Sequence, residues 1–164
     1  MNIETPRMLM RRPVIDDCIL LENLWCNEKV REFLGGVVPD NLIAQKISTL
    51  VNHWNLHQFG LCAVLEKISN ELIGLCGLHY SEDGVEISYM FFPNYWGKGL
   101  AYEAIMASIN YGFKILHLER IIAITQAKNT KSCLLLRKVG MNHISSFERF
   151  NTIQNLYELT QNQW

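Results

Sequence analysis

Residues 91 to 104, FFPNYWGKGLAYEA, carry the features of a phosphate-holding turn. Pro93 has no N–H for a strand ladder, so regular pairing should stop near it. Gly97 and Gly99 then bracket Lys98, and an amphipathic helical pattern begins at once. The first amides of a helix lack an acceptor within it, and with the helix dipole they make an anion site. Glycine at 97 and 99 removes the Cβ atoms that would hold the backbone off, so a diphosphate can approach closely. Lys98 adds positive charge beside it.

Spacing excludes two other phosphate loops. The nucleotide P-loop requires G-x-x-x-x-G-K-[ST], which this loop does not match. GKGLAY approaches the dinucleotide fingerprint G-x-G-x-x-G, but Tyr102 stands in the third glycine's place and the loop follows a meander rather than opening a parallel βαβ unit. His53 and His57 in HWNLH have the i,i+4 spacing of helical zinc ligands, yet Trp54 occupies the position where the zinc-protease pattern needs Glu, and no metal is expected. Five cysteines (Cys18, Cys26, Cys62, Cys76, Cys133) form no C-x-x-C pair, which favours reduced thiols over a disulfide framework.

The elements around the loop follow from periodicity. RMLMRR reads as a first strand before Pro13. Asp16 or Asp17 can cap a helix through about Cys26, with Ile19, Leu20, Leu24 and Trp25 inward. After the turn-rich FLGGVVPDN, a second helix should run to about His57 on Leu42, Ile43, Ile47, Leu50, Val51 and Trp54. LCAVLEK and ELIGLCGLHY form a hairpin around ISN, and VEISYMFF follows the SEDG turn as a third middle strand. The helix after the glycine loop buries Leu100, Ala104, Ile105, Ser108, Ile109 and Phe113. RIIAITQ is a strand, and NTKSCLLLRKVG is a helix with Asn129 as N-cap and Gly140 just past its end. Strands over about 142–150 and 156–160 close the sheet. The order predicts an α+β fold around a mixed, mostly antiparallel sheet flanked by helices, as a single domain over 1–164.

The formal net charge of −1 leaves no strongly basic face for nucleic acid. No apolar run approaches the roughly 20 residues of a membrane span. The opening MNIETPRMLMRRP lacks a signal-peptide core, so a cytoplasmic location is expected.

The chain resembles the GNAT acetyltransferases, especially their ribosomal-protein alanine N-acetyltransferase branch (RimJ/RimL-type). TPRMLMRRP is similar to that branch's opening strand, VEISYMFFPNYWGKGLAYEA to its strand-loop-helix core, LHLERIIAITQAKNTKSCLLLRKVGM to its next strand and helix, and LYELTQNQW to its ending. NYWGKG matches the family's coenzyme A loop, [RQ]-x-x-G-x-[GA], except that Asn94 replaces Arg or Gln. The resemblance implies that Phe91 and Phe92 pair through their backbone with the pantetheine arm of acetyl-CoA. It places Trp96, Gly97, Lys98, Gly99, Leu100 and Ala101 around the pyrophosphate and Asn129 beside the pantetheine, where Asn129 also serves as a cap.

The implied reaction passes an acetyl group to a primary amine, either a protein N-terminus, such as that of a ribosomal protein, or a small molecule. The attacking nitrogen must first lose a proton. At pH 7 that costs roughly 1 kcal/mol for an α-amine and roughly 5 for a lysine-like amine, so energetics alone does not choose between them. The resemblance makes Glu86 the base, against a purely orienting role, and backbone N–H groups near Phe91 the oxyanion donors. Many relatives carry a Tyr seven residues after the helix Asn as proton donor to the thiolate. Leu136 stands there, and Ser132 is the replacement, against a packing role. The alternative is a noncatalytic acetyl-CoA sensor. A monomer and a homodimer both fit.

Overall fold

Apolar alternation and helical stripes give eight strands and five α-helices in the computed structural model, which describes residues 2–164. The strands are β1 (Asn2–Glu4), β2 (Met8–Arg11), β3 (Leu61–Glu66), β4 (Leu72–Ser81), β5 (Gly84–Phe91), β6 (Arg120–Gln126), β7 (Asn142–Arg149) and β8 (Thr152–Thr160). The helices are α1 (Cys18–Trp25), α2 (Glu28–Arg31), α3 (Asp40–His57), α4 (Leu100–Lys114) and α5 (Thr130–Lys138). The sheet order is β1-β2-β3-β4-β5-β6-β8-β7, and only β5 and β6 run parallel.

Every residue of the predicted α4 stripe is buried: Leu100, Ala104, Ile105, Ser108, Ile109 and Phe113. Asn129 caps α5 by accepting from the Ser132 N–H at 3.1 Å, and Gly140 follows at φ +94°. Packing overrides the sequence pattern in the first half. The helix α1 buries Leu21, Leu24 and Trp25 and exposes Ile19 and Leu20, because a 3-10 turn over Ile15–Asp17 shifts its phase. Asp17 stands at the N-cap but makes no cap bond there. Its buried carboxylate accepts from the Val14 N–H and is gripped by both terminal nitrogens of Arg11, at 2.7 and 2.9 Å. Along α3, Ile43, Leu50 and Trp54 are buried while Leu42 and Val51 stay exposed. The short β1 and α2 were not apparent from periodicity.

The two faces of the sheet are covered differently. Cys76 meets Ser108 of α4, and a Cβ on Gly112 would lie 2.6 Å from Leu78, so α4 packs closely on the face bearing Cys76 and Leu78. The opposite face carries Leu61, His79 and Met90, which α1 and α3 cover with a cavity between.

Candidate active site

The break in the sheet comes at the parallel join of β5 and β6, the only one among the described residues. The ladder of β5 and β6 consists of one register pair, Glu86 opposite Ile122, and past it the strands separate. The Phe92 N–H donates to Ile73 O at 3.0 Å, toward β4. Backbone groups alternate sides along a strand, so those of Phe91 and Tyr89 turn away from β4 into the opening. The Phe91 carbonyl accepts from Trp96 Nε1 at 2.7 Å, which folds the indole back over the strand end.

Beyond Pro93 a single 3-10 turn leads into the glycines, both left-handed: Gly97 at φ +73° and Gly99 at φ +76°. The amides of Gly97 through Tyr102 donate to no protein acceptor among the described residues, and the first amide bonded back is Glu103 N–H to Gly99 O. Nothing lies within 4 Å of where a Gly97 Cβ would stand. The cradle is open and its donors are unused, which fits a diphosphate. Its underside is held by Arg7. The Arg7 guanidinium donates to the Lys98 carbonyl at 2.8 Å and pairs with Glu103 at 2.7 Å, and its own N–H bonds the same carboxylate. Burial works to raise the Glu103 pKa, but hydrogen bonds from the Thr5 side chain first and Arg7 next, with the Arg7 charge, hold it below the usual value. Arg7 was not singled out by sequence reasoning, because its partners lie more than ninety residues away.

Strand alternation sorts the remaining side chains. Tyr89 faces α5, and its hydroxyl meets Ser132 Oγ at 2.6 Å. Burial, opposed by the Ser132 bond, drives the Tyr89 phenol well above its ordinary pKa, so it stays a neutral O–H. Leu136 is closed into the core. Sequence reasoning singled out Ser132 but not the tyrosine bonded to it, whose place in the alternation of VEISYMFF was the available signal.

Glu86 lies on the other face, opposite His79 in the β4–β5 register. Burial raises its carboxyl above the ordinary value, against the opposing pull of His79, the Ser81 hydroxyl and the Ile124 amide. His79 Nδ1–H donates to the Tyr80 carbonyl at 3.1 Å, and Nε2 and Ser88 Oγ share a hydrogen bond at 2.8 Å. His53 is fixed by similar logic. The Tyr80 N–H donates to His53 Nε2 at 3.0 Å and Nδ1–H donates to Phe59 O at 3.0 Å, while burial first and His57 next lower its pKa.

A cavity of about 580 Å³ opens over this face between the sheet and α1 to α3. Trp25 and His79 line it, whereas Trp54 is in the core with Nε1 donating to Leu61 O. The structure therefore sets Glu86 and Ser88 beside His79 on the sheet face that the cavity overlies, although of the three only His79 lines the cavity; Tyr89 and Ser132 lie on the other face, and the glycine loop follows the end of β5.

Residues 7–142 match the family model described as Acetyltransferase (GNAT) domain. The uncharacterised N-acetyltransferase YnaD of Bacillus subtilis is 41% identical over 152 residues, covering 91% of this chain and 87% of that protein. A GNAT-family acetyltransferase from Bacillus anthracis superposes with a TM-score of 0.84 at 26% identity, covering 99% of each chain. Spermidine N-acetyltransferase from Vibrio cholerae, solved with CoA and spermine, shares the fold with a TM-score of 0.83 at 20% identity, covering 97% of this chain and 98% of that one.

Proposed function

The chain belongs to the GNAT acetyltransferase family, and from that premise we propose that it passes the acetyl group of acetyl-CoA directly to a small primary amine seated in the cavity over Glu86. The observation that carries this reading is the open strand pair flanked by the unused amides of Gly97 through Tyr102. Trp96 through Ala101 hold the pyrophosphate, and Phe91, Phe92 and Asn129 hold the pantetheine arm. The Phe91 N–H is the donor aimed at negative charge developing on the acetyl oxygen.

Glu86 takes the proton from the incoming ammonium. Its raised pKa brings it closer to that of the amine, which favours transfer at neutral pH. Tyr89, bonded to Ser132, supplies a proton on the opposite face, where the thiolate departs. Ser132 thus acts with Tyr89, as partner rather than lone acid.

The cavity has the volume of a small-molecule site, which supports a small acceptor. The finer substrate class implied by the resemblance, a ribosomal-protein N-terminal alanine, rests on motif likeness alone. A noncatalytic acetyl-CoA sensor is the second reading, favoured by Asn94 in the loop and by buried Leu136 in place of the tyrosine. Thiol release from acetyl-CoA, measured against small amines and short peptides, separates the readings. Amine-dependent release is expected, and tight acetyl-CoA binding with no turnover on any amine would overturn the transferase reading in favour of the sensor.

A further inference from the structure

The acceptor cavity has a charge pattern that the reaction itself does not require. Arg31 of α2 and Lys46 of α3 both line it, together with Gln45, Thr49, His53 and His79, and no Asp or Glu does. Among the described residues, neither cation pairs with a carboxylate.

Arg31 is the more telling of the two. It is only 9% exposed, and its guanidinium meets nothing but loop carbonyls: Nε donates to Gly36 O at 2.7 Å and Nη2 to Leu34 O. Nη1 donates to no protein group among the described residues. A buried charge without a counterion is costly, and removing its partner is what makes such groups destabilising. Desolvation lowers the pKa of both groups, and for Lys46 the Arg31 charge adds to it. Loop stitching explains two of the guanidinium nitrogens. It does not explain a second cation placed beside it.

We infer that the acceptor is a primary amine that also carries an oxyanion, a carboxylate or a phosphate monoester, which Arg31 and Lys46 bind from the helix wall while the amine turns past His79 toward Glu86, its register partner on the same sheet face. This rests on the transferase reading above. The planar guanidinium and the point-like ammonium both suit such an oxyanion, and the amine end alone meets a carboxylate. A polyamine would bring further positive charge against two cations that lack counterions. The cavity therefore selects against the acceptor class named for the Vibrio cholerae structure.

The test compares kcat/KM for 2-aminoethyl phosphate, 3-aminopropanoate, propylamine, spermidine and an alanyl peptide, with binding of 2-aminoethyl phosphate read separately by calorimetry. Charge-assisted bonds of this kind correspond to a preference of about tenfold or more for an anionic amine over propylamine. The phosphate and carboxylate arms decide which oxyanion is preferred. Lys46→Gln should lower the preference about threefold to fivefold, as befits a charge at the solvent-facing edge of the cavity, and Lys46→Glu should shift it toward spermidine. Because Lys46 makes no bond that holds the fold, these variants stay informative even where Arg31→Gln fails to fold. Equal turnover of neutral, cationic and anionic amines overturns the oxyanion proposal and leaves the transferase reading standing. Lys46-dependent binding of 2-aminoethyl phosphate with no turnover of any amine does the reverse. Neither binding nor turnover overturns both.

Discussion

Replacing Gly99 by Asp puts the cofactor placement at risk while sparing the fold. Gly99 stands before α4 at φ +76°, ψ 4°. A non-glycine residue there costs about 1–2 kcal/mol, and Asp is among the side chains that tolerate it best. A Cβ at this point would meet Arg7 Nη2 at 3.5 Å, an ordinary contact, so no backbone must move and the new carboxylate can reach the guanidinium. Melting should fall by no more than about 2–8 °C. Binding is another matter. A negative charge ~5 Å from a phosphate at an effective dielectric of ~20 is worth about 3 kcal/mol of repulsion, or about a hundredfold in Kd. The same carboxylate competes for the free amides. Gly99→Asn carries similar bulk and the same backbone strain without the charge, and should weaken binding much less. Titration calorimetry with acetyl-CoA, run beside melting scans, reads both quantities. An Asp variant that melts normally and binds acetyl-CoA like the parent would refute the loop placement.

Three further outcomes follow from the same geometry. Glu86→Gln should lower kcat by about 10²- to 10⁴-fold and remove the acidic limb of the pH–rate profile, which in the parent lies above the ordinary carboxylate range because burial raises the Glu86 pKa. The sign for stability runs the other way: a carboxyl raised on folding is stabilising when protonated and loses that stabilisation as pH rises through its folded pKa, so the Gln variant should melt no lower at pH 7. An unchanged pH profile would remove Glu86 from the base role. Tyr89→Phe should slow thiol release by only about tenfold, since a thiol of pKa about 8.5 already leaves as a fair anion, and should destabilise by about 1–3 kcal/mol by stranding the buried Ser132 hydroxyl; normal stability and normal rates together would dismiss the relay. Arg7→Ala should raise the Kd for acetyl-CoA with little change in kcat, because the loop loses its grip on the Lys98 carbonyl, and a fall in kcat at constant Kd would speak against that role.

The second half of the chain was legible because its signals are local. The α4 stripe repeats over about four turns, Asn129 and Gly140 punctuate α5, and a glycine marks the left-handed backbone directly before the start of α4. The first half was less legible because its phase is set by partners far away. Arg11 takes Asp17 from its expected cap, and the 3-10 turn rotates the α1 stripe. The β7–β8 turn was missed for another reason. Phe150 and Asn151 both take left-handed φ, at +56° and +57°, with no glycine to announce them, so β8 begins at Thr152 rather than near 156. Within the site, the glycine loop stands out by residue type and Glu86 is reached only through the family resemblance, whereas Arg7, Tyr89 and the Arg31–Lys46 pair gain meaning only from what the fold sets beside them.

The spacing of Glu86 and Tyr89 gives the proposed mechanism its division of labour. Residues an odd number apart on a strand point to opposite faces of the sheet. One face of β5 therefore offers a carboxyl with raised pKa beside the cavity, and the other offers a neutral phenol bonded to Ser132. A strand within a closed sheet could not use both, because neighbours would fill its backbone on each side. Here the ladder to β6 ends at its first pair, so the reacting carbonyl can lie in the plane of the sheet with access to both faces. In that geometry amine entry and thiol departure occur on opposite sides of one strand. Neither proton acceptor nor donor has to serve the other's step, which is why their pKa values can be tuned independently by the burial on each side.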